Sequence, residues 1–350
     1  GNYLRVNTPA QGAGAYLSGG SALLEGCTFL TNRADGGYGH RGGAIYATGV
    51  NPLAIRNSSF VGNYAWAFNG VANGGALWIG TTPAVVSNCS FVGNYVGAQN
   101  SSSKGGALKL QNCSGFTIVG CVFTNNHCVY RNMLLMEGGV MCLTGTPLAG
   151  TITGCTSDGQ TMSNAAPENL SFSPGISNTV RIANTALRGG NGTGVLKYGF
   201  GTLEMIGCLV HSFTNHGVQV ATGNVALVNV TLAKNGGWGV ANVSGVVTAR
   251  NCIAWGNTNG GFVGSATITM TCSQEPQGGA GNLNVNPLFV GAATNNYRLA
   301  NSSPCINAGA NEAWMFTALD LDGNRRILSS QVDMGAYEAK VRMGTMVVFR

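Results

Sequence analysis

Two short motifs recur along this chain at a fixed spacing, and such periodicity restricts the fold more than any other feature of the sequence. The pattern Phe-x-x-Asn appears four times, with steps of 31, 31 and 32 residues. In phase with the first, the pattern Gly-Gly followed by two apolar residues recurs at four points of the first half, with steps of 32, 31 and 33 residues. The motifs begin at Phe29, Phe60, Phe91 and Phe123 and at Gly42, Gly74, Gly105 and Gly138. A chain with this regularity is expected to stack one structural unit on the next.

The period shortens to about 22 residues after about residue 190. Glycine–apolar pairs that begin at Gly194, Gly217, Gly239 and Gly261 are 23, 22 and 22 residues apart. The simplest explanation is one kind of coil throughout, with roughly nine extra residues in each coil of the first half. We expect these insertions to gather on one side of the molecule.

Within a coil, apolar residues alternate with residues of any polarity. Leu203 and Met205 occupy the same columns as Val225 and Leu227 of the next coil, whereas Glu204 between them is charged. A period of two predicts β-strands. Short strands, a glycine or asparagine at each bend and a period near 22 residues predict an all-β fold, a right-handed parallel β-helix of about 11 to 12 coils.

The division along the chain follows from the two periods. We expect one β-helix over residues 1–265, with 31-residue coils to about 155 and 22-residue coils from about 190. Residues 266–350 are expected to form its C-terminal end and cap.

Composition excludes several classes of protein. Charged residues make up only 9% of the 350 residues, and the net charge of +6 comes from singly scattered lysines and arginines. Proteins that bind nucleic acid cluster these residues on one face, so no nucleic-acid partner is expected. No apolar run approaches the roughly 18 residues that span a membrane, and no basic and apolar leader follows Gly1. We expect a soluble segment without a transmembrane helix.

The paired Gly-Gly-Ala-Ile and Phe-x-x-Asn motifs, over roughly residues 20–145, resemble the repeats of chlamydial-type polymorphic outer-membrane proteins, which are β-helical surface adhesins. Five further motifs follow in the C-terminal third: Gly281–Asn284, Asn286–Val290, Ser303–Gly309, Asp320–Asn324 and Val332–Glu338. Their order is similar to the end of secreted bacterial β-helix proteins of the choice-of-anchor type. The two resemblances imply a β-helical fold and an extracellular or cell-surface location.

One cysteine per coil stands at an equivalent point in much of the first half, and Ser58 fills the missing place. A metal site needs three or four ligands that converge on one ion, which a single column does not provide. Cysteine as a small buried hydrophobe explains the column better. The predicted structural columns are Cys27, Cys89, Cys121 and Cys155; Phe29, Phe60, Phe91 and Phe123; and Asn32, Asn63, Asn94 and Asn126.

The C-terminal region holds two further candidates. Cys272 and Cys305 lie outside the repeat columns and are a candidate disulfide, which would close a loop of about 33 residues. Asp320, Asp322 and Asn324 have the alternating oxygen ligands of a calcium loop but lack the later glutamate of an EF-hand. These residues are weak candidates for a calcium site, and the alternative is a tight turn. No other cofactor is implied.

An enzyme of the β-helix class would need carboxylates. A glycosidase requires two acidic side chains about 5 to 10 Å apart, and a calcium-dependent lyase requires several around the ion. The acidic residues before position 300 are Glu25, Asp35, Glu137, Asp158, Glu168, Glu204 and Glu275, and no two form an obvious pair. A metal-free lyase with a lysine or arginine base stays open, with Lys197, Arg181 and Arg188 as the candidates, although such charges more often lie on a solvated face. His216 is predicted to be a turn residue.

Two other groups of residues repeat with the coils. Tyr64 and Tyr95 each follow a Phe-x-x-Asn asparagine and are expected to stack, either as a packed ladder or as exposed rings that bind sugars. The sequons include Asn57, Asn88, Asn112 and Asn229, and we interpret them as parts of the repeat architecture.

The leading functional hypothesis is a non-catalytic extracellular structural or adhesive protein that presents loops along one side of a rigid rod. Its partners would be further copies of itself or a surface glycan or protein. End-to-end assembly into filaments would follow from unpaired terminal strands, with Met343–Phe349 completing a neighbour. The alternatives are a polysaccharide lyase or hydrolase, and a passive glycan-binding module.

Overall fold

The chain folds into a right-handed parallel β-helix, so the all-β prediction is confirmed. The computed structural model describes residues 1–6, 10–130, 136–162, 168–175 and 178–340. Three long parallel sheets form the sides of this helix, and we call them faces 1, 2 and 3. Neighbouring strands within a face come from successive coils, because each coil passes through all three faces.

Faces 1 and 2 contain ten strands each within the described ranges. Face 1 consists of β2 (Ala15–Ser18), β6 (Ile45–Thr48), β11 (Leu77–Gly80), β16 (Leu108–Gln111), β21 (Met141–Gly145), β24 (Glu168–Pro174), β27 (Thr193–Lys197), β30 (Val218–Val220), β33 (Trp238–Asn242) and β36 (Gly260–Val263). Face 2 consists of β3 (Ala22–Glu25), β7 (Leu53–Arg56), β12 (Ala84–Ser87), β17 (Ser114–Val119), β22 (Ala149–Thr153), β25 (Thr179–Ala183), β28 (Thr202–Ile206), β31 (Asn224–Val228), β34 (Val246–Arg250) and β37 (Thr267–Thr269).

Face 3 changes character along the molecule. Early coils contribute two short strands separated by a bend, and later coils contribute one strand. Face 3 consists of β1 (Tyr3–Val6), β4 (Thr28–Leu30), β5 (Arg33–Gly36), β8 (Ser59–Val61), β9 (Tyr64–Ala67), β13 (Ser90–Val92), β14 (Tyr95–Ala98), β18 (Val122–Thr124), β19 (His127–Tyr130), β23 (Thr156–Met162), β26 (Ala186–Gly190), β29 (Leu209–Phe213), β32 (Thr231–Ala233), β35 (Ile253–Trp255) and β38 (Cys272–Ser273).

The residues inserted in the 31-residue coils form a short fourth sheet between the end of face 3 and the start of face 1. This short sheet consists of β10 (Ala72–Asn73), β15 (Ser103–Lys104) and β20 (Met136–Glu137). The insertions therefore gather on one side of the rod, as the period predicts. They divide the outer surface of the early coils, with face 3 on one side of the short sheet and face 1 on the other.

The strand register matches the columns read from the sequence. Leu203 pairs with Val225, and Val225 pairs with Val247, so the 22-residue step is one turn of the helix. In the longer coils, Phe60 pairs with Phe91, and Phe91 pairs with Phe123. Parallel strands in register place equivalent residues directly above one another, so the inward-facing apolar residues of successive coils form columns. These inward columns form one continuous apolar core.

The Gly-Gly motif is required by the close approach of stacked coils. Gly42, Gly74 and Gly105 have φ angles of 68°, 64° and 72°, in the left-handed region that favours glycine. A Cβ atom on the second glycine, Gly43, would lie 2.1 Å from the carbonyl oxygen of Gly75 in the next coil. No larger residue fits there without moving backbone.

The sequon asparagines occupy bends between strands. Asn57, Asn88, Asn112 and Asn229 have φ angles of 49°, 52°, 55° and 51°. Asparagine tolerates this left-handed conformation better than other residues with a side chain. Their recurrence therefore has a structural cause.

The C-terminal residues pack against the later coils of face 3. The segment contains the antiparallel strands β39 (Phe289–Gly291) and β40 (Asn296–Leu299) and the 3-10 helices η1 (Ala292–Thr294) and η2 (Ala313–Phe316). Tyr297 packs against Leu209 and Ala233, and Cys305 packs against Ile253. The segment thus covers the side of the helix in addition to following its last turn.

The bends of the helix also hold this segment in place. Nδ2 of Asn229 donates to the carbonyl of Asp333 at 2.9 Å, and the hydroxyl of Thr231 accepts the N–H of Ala336 at 2.9 Å. Asn251 bonds Ala310 through both its amide nitrogen and its amide oxygen. In other coils, polar side chains bond the adjacent coil. Here Asn229, Thr231 and Asn251 bond the C-terminal segment.

Two sequence predictions concern the ends and the membrane. The candidate end strand Met343–Phe349 lies outside the described residues. Among the described segments, no helix has the length and apolar character that crossing a bilayer requires.

Candidate functional site

The phenylalanine column is an internal stack. The rings of Phe29 and Phe60 lie 5.0 Å apart between centroids, and the next two steps, to Phe91 and to Phe123, are 4.8 Å each. Interplanar angles of 2° to 7° make the rings nearly parallel. Phe60, Phe91 and Phe123 are fully buried, so this column stabilises the coils and offers no surface to a ligand.

The cysteine column lies at an inner corner. Cys89, Cys121 and Cys155 are buried, and Cys27 in the first described coil is half-buried. The thiol of Cys89 donates to the carbonyl of Ser87 at 3.2 Å. A hydrogen bond with Cys121 and burial both raise the pKa of Cys89. Cys89 is therefore a structural thiol, which differs from a reactive thiolate.

Hydroxyl side chains replace the cysteines in some coils and bond along the axis. Ser58 accepts the N–H of Cys27 at 3.1 Å, and Thr185 accepts the N–H of Cys155 at 3.4 Å. The same column continues with Cys208 and Cys252, which are also buried.

The asparagine column is a buried hydrogen-bonded ladder. Oδ1 of Asn63, Asn94 and Asn126 each accepts the backbone N–H and the Nδ2–H of the asparagine one coil earlier, so the ladder runs from Asn32 to Asn126. The ladder ends where Oε1 of Gln160 accepts the N–H of Asn126 at 2.7 Å. A second ladder joins Asn235 to Asn257 and ends at Oε1 of Gln274. The sequence patterns did not identify this second ladder or the two glutamines.

The candidate disulfide residues are neighbours. Cys272 and Cys305 are both buried, lie in one apolar cluster and are free thiols. A hydrogen bond from Cys305 lowers the pKa of Cys272. Cys272 also donates to the carbonyl of Val285 at 3.1 Å. The disulfide stays a prediction.

The candidate calcium loop is a turn in which protein groups bond the acidic side chains. The Asp320 carboxylate accepts the N–H groups of Asp322, Asn324 and Glu338. Asp322 forms an ion pair with Arg298, with Nη2 to Oδ1 at 2.5 Å. The described part of the chain holds no group of three or more His, Cys, Asp or Glu residues arranged for a metal. Calcium binding stays a prediction. It would require the ion to replace the hydrogen bonds of Asp320 and the ion pair of Asp322.

The three candidate bases do not form a cluster. Arg181, Arg188 and Lys197 lie on faces 2, 3 and 1 respectively. The expectation of a solvated face is wrong for Lys197, which is fully buried and bonds three backbone carbonyls. Burial lowers its pKa to about 8. Arg188 forms an ion pair with Asp158.

His216 lies in the bend before β30, as predicted for a turn residue. Its Nδ1 accepts the N–H of Trp238 in the next coil at 3.0 Å. The histidine therefore satisfies a backbone donor between coils.

The outer surface of face 3 carries a cleft beside the short sheet, which we call the aromatic cleft. Its volume is about 340 Å³. It is lined by Arg33, Asp35, Gly36, Gly37, Tyr64, Trp66 and Phe68. Strands β5 and β9 supply most of these residues, and Phe68 begins the inserted segment.

Stacked coils align the rings of this cleft. Tyr64 pairs with Tyr95, and their rings are stacked at 4.8 Å, so the predicted stacking of these tyrosines is confirmed. The indole of Trp66 lies 6.4 Å from the Tyr64 ring and 6.2 Å from the Tyr95 ring. Gly97 leaves room for this indole, because a Cβ there would lie 2.5 Å from its ring atoms. The rings are half-buried at the surface, and Phe68 is exposed.

An ion pair lies at the edge of the rings. Arg33 Nε donates to Asp35 Oδ2 at 2.8 Å, and Tyr3 Oη donates to Asp35 Oδ1 at 3.2 Å. The Arg33 guanidinium also lies over the Tyr64 ring, with Cζ 4.4 Å from the centroid. The cleft thus combines flat apolar rings with a fixed donor and a fixed acceptor.

Sequence reasoning identified Tyr64 and Tyr95 in this region but missed Arg33, Asp35 and Trp66. A signal was present, because Arg33 is one coil before Tyr64 in the same column and Asp35 stands in the column of Trp66. A single charged residue in an outward column carries no functional signal, because outward positions tolerate charge; the signal lies in the neighbouring columns taken together.

Comparisons of this chain with protein-family models, with curated proteins and with solved structures gave no match. The class of protein is therefore defined by the fold alone, a parallel β-helix.

Proposed function

We propose that this protein is a non-catalytic, extracellular adhesive β-helix that binds carbohydrate in the aromatic cleft. The observation that carries the proposal is the nearly parallel arrangement of Tyr64, Trp66 and Tyr95 beside the Arg33–Asp35 pair. Sugar rings present apolar C–H faces to aromatic rings and hydroxyl groups to polar side chains. In a binding site, aromatic rings supply flat contact area and a few polar groups fix the orientation of the ligand.

The rigid rod supports an adhesive role. Each coil pairs with its neighbours along three faces, so the cleft is held by strands and does not depend on a mobile loop. Rigid elements hold binding groups in position with little entropic cost on association.

The carboxylates argue against a hydrolase. Among the described lining residues of the aromatic cleft, Asp35 is the one carboxylate, and it is bound to Arg33. Hydrolysis of a glycosidic bond by the common mechanism needs two carboxylates across the bond. A lyase with a basic residue as catalyst is the second candidate. Arg33 is the basic residue that lines the aromatic cleft, but its ion pair with Asp35 opposes a role as the catalytic base.

Binding of the purified protein to a glycan array, followed by calorimetry with the best ligand, tests the proposal. We expect saturable binding that Trp66→Ala weakens at least tenfold. Phe200→Ala is the matched control, because Phe200 is an aromatic residue that is 73% exposed and distant from the cleft in sequence. Absence of binding to any carbohydrate, or equal affinity in both variants, would contradict the proposal.

The same ligands test the enzyme alternatives. Overnight incubation with uronate-containing glycans is expected to leave them intact by mass spectrometry. New reducing ends would indicate a hydrolase, and unsaturated uronate ends would indicate a lyase. Either result would overturn the non-catalytic part of the proposal.

Surface location and secretion belong to the same proposal and are supported by the resemblance of the repeats to polymorphic outer-membrane proteins and of the C-terminal motifs to choice-of-anchor proteins. Antibody labelling of intact source cells, compared with permeabilised cells, tests location. Labelling that needs permeabilisation would contradict it.

Self-association is proposed as a second property because the first described coil has unpaired edges. Strands β2, β3 and β4 each pair on one side only among the described residues. Leu23 and Leu30 in this coil are 62% and 51% exposed. Unpaired strand edges with apolar residues are templates for pairing with another chain.

Light scattering after gel filtration tests this association. We expect oligomers that dissociate in the double variant Leu23→Lys, Leu30→Lys. Val246→Lys, at an exposed position of face 2 in a late coil, is the control and is expected to leave them intact. A monomer at all concentrations would contradict end-to-end assembly.

A further inference from the structure

A second cleft lies across the short sheet from the aromatic cleft, between that sheet and face 1. Its volume is about 270 Å³, and we call it the cationic cleft. The polar side chains that line it are Arg41, Asn73, Lys104, Lys109, Gln111 and Thr144. Three are cations, and no described lining residue is acidic.

Lys109 lies in an outward column of face 1, between Trp78 and Cys142 in the adjacent coils. Its side chain is nevertheless buried, with 2% exposure. Nζ bonds Oγ1 of Thr144 at 2.5 Å and Sγ of Cys142 at 3.2 Å. An ammonium group has three N–H donors, so one more is available to a ligand.

The charge of Lys109 has no carboxylate partner among the side chains that the structure describes. Its bonded neighbours are the hydroxyl of Thr144 and the sulfur of Cys142. The ion pairs of the described residues involve other cations. A buried charge is costly unless an anion compensates it. The floor of the cationic cleft therefore favours a negatively charged ligand.

Arg41 provides the second cation. Its guanidinium lies over the indole of Trp78, with Cζ 5.2 Å from the centroid. In the described part of the chain, its side chain makes no hydrogen bond and no ion pair. Stacking on Trp78 orients a planar group whose donors match an oxyanion. Lys104 adds a third cation on the wall, and its backbone pairs with Glu137 in the short sheet.

We propose that the cationic cleft binds a tetrahedral oxyanion, a sulfate or phosphate group. The cationic cleft supplies more hydrogen-bond donors than the two oxygens of a carboxylate need. These donors are the Arg41 guanidinium, the remaining Lys109 N–H, the Thr144 hydroxyl and the amides of Asn73 and Gln111. Four oxygens on one centre use them better. The site does not depend on the aromatic cleft, because the two clefts share no lining residue.

Calorimetry with sodium sulfate and sodium phosphate, against sodium chloride at equal ionic strength, tests the proposal on the full chain. A sulfated oligosaccharide and the same oligosaccharide without sulfate distinguish an ester group from the free ion. Variants Arg41→Gln and Lys109→Met each remove one cation. Arg41→Gln is the safer variant for folding, because Arg41 is exposed. Arg56→Gln removes the same charge from an exposed site on face 2 and is the control.

We expect saturable binding of sulfate or phosphate, weakened at least tenfold in Arg41→Gln and unchanged in Arg56→Gln. Tighter binding of the sulfated oligosaccharide than of free sulfate would identify an ester as the ligand, and equal binding would identify the free ion; both outcomes support the site. No saturable heat with any of the oxyanions, or an equal loss in Arg41→Gln and Arg56→Gln, would overturn it. Carbohydrate binding that is lost in Trp66→Ala but kept in Arg41→Gln would separate the two clefts.

Discussion

Oδ1 of Asn94 accepts two hydrogen bonds from Asn63 in the preceding coil, one from the backbone N–H at 3.0 Å and one from Nδ2–H at 2.9 Å. Both residues are fully buried. The Nδ2 group of Asn94 in turn bonds the carbonyl of Phe60 at 2.9 Å. One side chain therefore satisfies polar groups of the preceding coil that have no access to water, which explains why asparagine recurs at this bend.

Replacing Asn94 by alanine is expected to lower the free energy of unfolding by about 2 to 4 kcal/mol, because two buried donors of Asn63 lose their acceptor. Urea unfolding followed by circular dichroism measures the change. Asn69→Ala is the control, since Asn69 bonds Asn100 at an exposed position, and should change stability by less than about 0.5 kcal/mol. Equal effects of the two substitutions would show that the ladder is not a special source of stability.

Replacing Gly97 by alanine is expected to disturb the aromatic cleft while the coil stays folded. The new Cβ would lie 2.5 Å from Trp66 and 2.9 Å from Tyr95, so the rings must move. We expect a changed near-ultraviolet circular dichroism spectrum, at least fivefold weaker carbohydrate binding and a stability loss of about 1 to 2 kcal/mol. Gly278→Ala is the control, because a Cβ there meets no atom within 4 Å. An unchanged spectrum and affinity would contradict this role of Gly97.

His211 is expected to make stability depend on pH. Burial, together with the charges of Arg188 and Lys234, lowers its pKa to about 4. In the unfolded chain this histidine has an ordinary pKa of about 6.5 and takes up a proton first as the pH falls. Acidification therefore stabilises the unfolded state relative to the folded state. Stability is fully present above about pH 6.5 and falls by about 2.5 kcal/mol on acidification to about pH 4.5.

The variant His211→Phe keeps a ring against Tyr297, whose centroid lies 4.9 Å from that of His211. Unfolding free energies at about pH 7 and about pH 4.5 should differ by about 2.5 kcal/mol less in this variant than in the parent chain. The same pH dependence in both proteins would assign the effect to other groups.

Cys272 and Cys305 are expected to form a disulfide when the protein refolds in a glutathione redox buffer. Intact mass should fall by two hydrogens, and one bridged peptide should appear after digestion. The closed loop of about 33 residues would add about 3 to 4 kcal/mol in the chain-entropy model. The double variant Cys272→Ser, Cys305→Ser should show neither change. A bridge between any other pair would contradict the prediction.

The sequence alone predicted the stacking of coils. In a parallel solenoid, residues one period apart lie opposite each other, so the 31- and 22-residue steps translate directly into strand register. The pairs Leu203–Val225 and Phe60–Phe91 follow this rule. Alternation also predicted that Glu204 lies between two buried residues. In the structure Leu203 and Met205 are buried and Glu204 is not.

Other features depend on contacts between segments that share no period. The burial of Lys197 against backbone carbonyls could not be read from its column, because a charged residue in a repeat usually faces water. The aromatic cleft forms where Phe68 of an inserted segment lies near Arg33, which belongs to the preceding coil.

The order of residues in this chain therefore determined the all-β class, the coil length, the in-register columns and the side on which the insertions gather. The tertiary structure alone decided how the insertions divide the surface into two clefts and how the C-terminal segment covers face 3. The physical reason is that contacts within the solenoid are between neighbours and repeat with the chain. The clefts and the packed segment instead arise where non-repeating residues bury themselves against a surface that the repeats have already built.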